Sequence, residues 1–168
     1  MFATPPAIAN LVAPWASFYS HSKVATTIVV FLHIAPIVVG GGFGLAFDRA
    51  TLRLRHEKPG ERERHLEELH AVHPFVIGAL TLSFLSGIAM LAADLDTFLG
   101  SWVFWVKMAL IVALLINGAV MMKVETALRA PPSLTVDASW RRLRFVSITS
   151  VLLWIVITFA GVALANIS

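Results

Sequence analysis

Apolar blocks of about twenty residues alternate with shorter polar segments along this chain, and that alternation predicts four membrane-spanning helices. The blocks cover residues 24–47, 74–93, 101–122 and 145–165. The first, VATTIVVFLHIAPIVVGGGFGLAF, carries no formal charge over 24 residues. Its only ionisable group is His33, which Pro36 and the glycines Gly40, Gly41, Gly42 and Gly44 follow. At about 100° per residue, His33, Pro36, Ile37, Gly40 and Gly44 share one helix face. The spacing of Gly40 and Gly44 lets a second backbone, or a flat ligand, approach closely. Ala79, Ser83 and Gly87 predict a second small-residue seam on the next helix.

The polar segments set the connections. Residues 48–73 form a first polar loop, in which the Pro59-Gly60 turn precedes a short amphipathic helix marked by Leu66, Leu69, Val72 and His73. Pro74 fits the first turn of the second span, where its missing N–H is not needed. A short loop, 94–100, has no Lys or Arg, and Trp102, Phe104 and Trp105 open the third span. A second polar loop, 123–144, contains the break Pro131-Pro132. Residues 1–23 are apolar but interrupted by Pro5, Pro6 and Pro14. With Trp15, Phe18 and Tyr19, aromatics favoured at membrane interfaces, they read as an arm or short surface helix rather than a signal peptide, because no positive charge precedes Lys23. The expectation is a single-domain, all-α integral membrane protein over residues 1–168, a four-transmembrane-helix up-down-up-down bundle with an N-terminal interfacial arm.

Composition sharpens this picture. The chain is 58% hydrophobic and 14% charged, with a mean hydropathy of +0.81, well outside the range of soluble domains. The two long polar loops hold eleven of the thirteen Lys and Arg residues, the others being Lys23 and Lys107. The positive-inside rule places both loops in the cytoplasm, with both termini and the 94–100 loop outside. There is no cysteine, which excludes disulfides, thiolate metal sites and haem attached through Cys-x-x-Cys-His. A net charge of +3 with basic residues flanking apolar blocks gives no reason to invoke nucleic acid. No Ser/His/Asp set, phosphate loop or paired intramembrane carboxylates appear, so hydrolase, kinase and protease functions have no support.

Several side chains are candidates for chemistry. An imidazole inside a span is costly unless paired, which makes His33 the first of them. It lies about 13 Å below the outer surface, and Lys107 about 9 Å below it, at ~1.5 Å per residue. If their faces meet, the imidazole is placed to ligate haem iron and the ammonium to pair with a propionate, or both to bind a quinone oxygen or relay a proton. The alternatives are an interhelical hydrogen bond for His33, and a snorkelling Lys107 paired with Asp94 or Asp96. Met90 and Met108 fall in the outer half, where Met can serve as an axial ligand or as apolar filler. His70 and His73 share a helix side, His65 lies about 80° away, and Glu67 and Glu68 are near. These three imidazoles with the two carboxylates are a candidate divalent-metal set, with His70 and His73 its core and a solvated face the alternative; His33 is a separate candidate metal ligand. His73 lies roughly 15 Å below His33, too far to share one iron. His21 and His56 read as ordinary surface residues. Asn117, deep in the third span, calls for a hydrogen bond to a neighbouring helix.

The patterns LHIAPIVVGGG and FWVKMALIVALLINGAV resemble a group of bacterial four-helix membrane proteins that includes the CopD copper-resistance family and HemJ-type protoporphyrinogen oxidases. Such proteins place a His in the first helix ahead of small residues, and some carry a Lys near the start of a later helix; His33 and Lys107 match. Unlike the HemJ type, this chain lacks a further His within a spanning helix, and its basic loop is longer. The resemblance implies tetrapyrrole or metal handling at the outer half of the bundle, in a bacterial inner membrane. Three functions follow: a protein binding b-type haem or a related tetrapyrrole with a redox or oxidase role; a non-catalytic accessory subunit of a larger respiratory or photosynthetic membrane complex; and a transporter, for which four helices offer few polar lining residues. Partners are the lipid bilayer and, in the second case, other subunits or further copies of the chain.

Overall fold

A computed structural model describes residues 5–53, 59–129 and 136–167. His56 and the Pro131-Pro132 break lie outside the described residues. The described chain is helical throughout: α1 (Pro6–His21), α2 (Lys23–Arg53), α3 (Pro59–Ala93), α4 (Leu95–Gly100), α5 (Trp102–Arg129) and α6 (Val136–Ile167). Four of these, α2, α3, α5 and α6, are long and apolar enough to cross a membrane. They form an up-down-up-down bundle. The closest packing joins α2 to α3 and α5 to α6, and α2 also packs along α6 and α3 along α5.

Each long helix outruns the block that announced it. At ~1.5 Å per residue, the 31 residues of α2 extend about 46 Å, against about 30 Å of hydrocarbon. The surplus lies at the end that carries the basic residues. There α2 runs on through Asp48 and Thr51 to Arg53, in what reads as loop from hydropathy. The α3 helix starts at Pro59 rather than Pro74 and passes through Pro74 without a break. Pro59 occupies the first turn, where no N–H is needed, with Glu61 beside it to complement the helix dipole. The stretch between the two prolines is held helical by packing: Leu66 and Leu69 join Met121, Val124, Trp140, Leu143 and Val146 in a buried cluster.

Capping fixes the shorter elements. The Asp94 carboxylate accepts the Thr97 N–H at 3.2 Å and opens α4. Ser22 closes α1, while its hydroxyl accepts the Ala25 N–H at 3.2 Å at the start of α2. The N-terminal arm is thus a helix, and it is docked on the bundle: Trp15 Nε1–H donates to the Ala89 carbonyl of α3 at 2.7 Å, and Thr26 Oγ1–H donates to the Tyr19 carbonyl at 2.8 Å. Burial pushes the Tyr19 phenol above its ordinary pKa.

Three apolar layers stack along the bundle. One near α4 is built on Val103, Phe104 and Leu164. A middle one holds Leu114, Trp154 and Ile157, and the third is the Leu66–Leu143 cluster at the basic end. Outward, Phe31, Val38, Leu115, Ile116, Phe145 and Phe159 are exposed, as lipid contact requires and water does not favour. The glycines of α2 set the packing distances. A Cβ on Gly40 would stand 2.5 Å from the Ala79 Cβ of α3, whereas one on Gly42 meets nothing within 4 Å. Gly41 and Gly44 lie under the Trp154 indole of α6.

Gly40→Ala therefore forces α2 and α3 apart and is expected to destabilise the protein by about 1–3 kcal/mol, the usual effect of overpacking. Gly42→Ala is expected to be neutral or stabilising, since Ala is the better helix former by about 1 kcal/mol. Equilibrium unfolding of both variants in detergent micelles checks the contrast.

Candidate functional site

Polar side chains are gathered in two places between the apolar layers. The first is near α4. The His33 ring nitrogen Nδ1 lies 2.8 Å from the Ser83 carbonyl oxygen of α3. A carbonyl only accepts, so Nδ1 carries the proton and donates it. Ser83 Oγ–H returns a bond to the His33 carbonyl at 2.9 Å, and Ser86 Oγ stands 3.4 Å from Nδ1. The imidazole fits because the residue beneath it has no side chain: a Cβ on Gly87 would come within 3.1 Å of His33 Cε1. With Nδ1 protonated, Nε2 keeps the lone pair and is the nitrogen free to ligate or accept.

Lys107 of α5 is half-buried in the same half of the bundle. Its ammonium passes Gly161 of α6, whose Cβ, if present, would stand 3.5 Å from Nζ. Met108 packs against the Val103–Leu164 cluster, and Met90 is half-buried on α3. The space cleared by Gly40 holds Ala79, and the indole of Trp154 lies flat on Gly41 and Gly44. The expected bond of Asn117 is present, its Nδ2–H donating to the Val146 carbonyl at 3.0 Å.

The second gathering lies at the basic end and centres on a residue that sequence reading missed. Glu125 of α5 is 2% exposed. His70 Nδ1 lies 3.3 Å from its Oε1, His73 Nδ1 3.2 Å from its Oε2, and Arg129 Nη2 3.1 Å from Oε1. Arg129 Nη2–H also donates to the Leu66 carbonyl. His70 and His73 thus converge on Glu125 rather than on Glu67 or Glu68, which are exposed; Glu68 instead pairs with Arg64 at 3.4 Å. His33 is not part of this group. Nearby, His65 is buried and its Nε2 lies 2.8 Å from Thr51 Oγ1. The Thr51 proton goes to the Phe47 carbonyl, so His65 donates. Asp48, 3% exposed, faces Ser150 and Ser147 of α6; Ser147 Oγ is buried there with no partner in hydrogen-bond geometry.

Hydropathy counted Glu125 and Asp48 as loop. Two signals for them exist. Met121, Val124 and Leu128 continue the apolar period of α5 past Lys123, with Glu125 and Arg129 spaced for an ion pair. Gly41, Gly44, Asp48 and Thr51 lie on one face of α2.

Fold and site together define a four-span integral membrane protein with polar clusters between its helices. No protein-family model, no curated protein and no solved structure matches the chain.

Gly87→Val places a branched side chain where the His33 ring sits. The expected result is loss of the Nδ1–H to Ser83 bond, read as loss of the single protonated Nδ1 resonance of His33 by nitrogen NMR of His-labelled protein. An unchanged resonance would mean that the ring is not held by Ser83.

Proposed function

We propose that this protein binds a b-type haem or related tetrapyrrole through His33, in the half of the bundle nearest α4, and has a redox role. The observation that carries this reading is the His33–Ser83 bond. A metal-ligating histidine almost always donates its second ring N–H to a carbonyl, carboxylate or water, which fixes the tautomer and leaves the other nitrogen basic. The His33 ring has that arrangement. The gap over Gly87 accommodates it, and Lys107, beside Gly161, is half-buried in the same half of the bundle. The donor set therefore fits a haem iron. His33 Nε2 would ligate, and Lys107 would pair with a propionate. When bound, the haem supplies one-electron chemistry. Ser83 orients the imidazole, and Lys107 would neutralise a propionate. The likeness of LHIAPIVVGGG to the CopD and HemJ-type group supports the same reading.

A second reading has its own observation. His33 and Ser83 exchange two hydrogen bonds, a clasp between α2 and α3 that needs no ligand. On this reading the chain is an accessory subunit of a larger membrane complex and His33 is structural.

In either case the distribution of Lys and Arg favours the basic end in the cytoplasm and α4 outside, and the likeness to the CopD and HemJ-type group supports a bacterial inner membrane.

Two measurements test this. The protein purified from haem-replete cells is expected to show a Soret band that shifts on dithionite reduction, and His33→Ala is expected to abolish it. A featureless wild-type spectrum, or one that survives His33→Ala, overturns the haem reading. Because the chain has no cysteine, single cysteines at Thr97 and Glu63 report orientation. An impermeant maleimide added to intact spheroplasts is expected to label position 97 and to spare position 63.

A further inference from the structure

The basic-end cluster carries an inference that does not depend on the haem reading. We propose that His70, His73 and Glu125 form a binding site for a divalent transition-metal ion of the zinc class, open to the aqueous phase through His70.

The first argument is ligand chemistry. Two imidazoles and a carboxylate suit zinc and its first-row neighbours, and three protein ligands leave a fourth position for water or a substrate group. The second is geometry. One ligand atom from each residue lies within 4.8 Å of the others. His70 Nδ1 lies 3.3 Å from Glu125 Oε1 and His73 Nδ1 3.2 Å from Oε2, so the two imidazoles face different oxygens of one carboxylate. Atoms bound to a tetrahedral zinc ion at about 2.0–2.1 Å stand about 3.3–3.4 Å from one another. Each imidazole already stands at that separation from one carboxylate oxygen, and closing on a single ion draws the three ligand atoms in from within 4.8 Å.

The third argument is that the buried atoms are held by charge and not by aligned hydrogen bonds. His73 Nδ1 and Glu125 Oε1 are both buried with no partner in hydrogen-bond geometry, although His73 lies 3.2 Å from Oε2 and Arg129 3.1 Å from Oε1. Buried polar atoms are nearly always bonded, and a shared ion would give both a directed partner. Glu125 sits out of water at the junction of α3 and α5, while the His70 side chain is 72% exposed. The site therefore has a buried anionic base and an exposed arm, and an ion has a route in from the basic-end surface.

Arg129 is the resident competitor. Its guanidinium neutralises Glu125 in the absence of an ion, and its existing bond to the Leu66 carbonyl would hold it when an ion takes its place. Binding there ties α3 to α5, a pair with less mutual packing than α2 with α3 or α5 with α6.

The test is a cobalt(II) titration of the full-length protein in detergent, purified with a tag free of histidine and stripped with chelator. The wild type is expected to saturate at one cobalt per chain, with an intense visible ligand-field band, and zinc is expected to displace it. His70→Ala leaves the fold intact because the side chain is exposed. It is expected to weaken binding by at least about tenfold, the loss that follows even from disturbing an outer partner of a metal site. Glu125→Gln, which keeps the side-chain shape, is expected to do the same. Absence of saturable cobalt binding in the wild type overturns the proposal. So does binding that both variants leave unchanged. Either result would leave the cluster as an ion-pair hub around Glu125. The haem reading stands or falls on His33 spectra, and this site on His70 and Glu125 titrations, so the two fail separately.

Discussion

A polar side chain buried between these helices is cut off from water, so it has to be satisfied by another helix. Glu125 shows how far that constraint reaches. It is almost fully buried, on a helix whose outer surface faces lipid, and groups from two directions converge on it. His70 and His73 come from α3, and Arg129 comes from one turn further along α5. Arg129 in turn holds the Leu66 carbonyl, on the turn of α3 just before His70. The basic-end layer of Leu66, Leu69, Met121 and Val124 closes around this cluster.

The same constraint orders the opposite half. His33 and Ser83 satisfy one another across α2 and α3, and Gly87 gives the imidazole its place. Lys107 passes another glycine, Gly161. In both cases a large polar side chain on one helix is matched by a missing side chain on its neighbour. Between the two polar layers the packing is apolar and close, with Ala79 against Gly40 and Trp154 against Gly41 and Gly44. Small residues let helices approach where there is no hydrophobic force to drive them together in lipid. Redox chemistry at the α4 end and metal binding at the basic end would be separated by this middle layer.

Much of this was legible in the sequence, for identifiable reasons. Each span contains about twenty apolar residues, and hydropathy finds them without help from packing. His33 and Lys107 were visible because an ionisable group in an apolar run is rare. The extensions of α2 and α5 were not, because Arg, Glu and Leu are good helix formers whether they sit in a helix or a linker; the stretch through Leu66 to His73 was legible as helix, but not as one helix with the second span. Pro74 looked like a boundary because a proline usually is one; tertiary packing of Leu66 and Leu69 carried the helix through it. Glu125 was missed for the same reason as Asp48. A charged residue just past an apolar block reads as the first residue of a loop until the next helix is placed against it. Glu67 and Glu68 were nearer His70 in sequence, but both are exposed, and Glu68 pairs with Arg64.

The central claim is that partners on other helices hold the buried polar groups, and that Glu125 ties α5 to α3 through His73. A double-mutant cycle with Glu125→Leu and His73→Leu, read by equilibrium unfolding in micelles, tests it most directly. The expected result is a coupling free energy of about 0.5–3 kcal/mol, the range for residues in one polar network. Single-variant effects that simply add, to within about 0.3–0.5 kcal/mol, would show that the two side chains do not act on each other and would contradict the account.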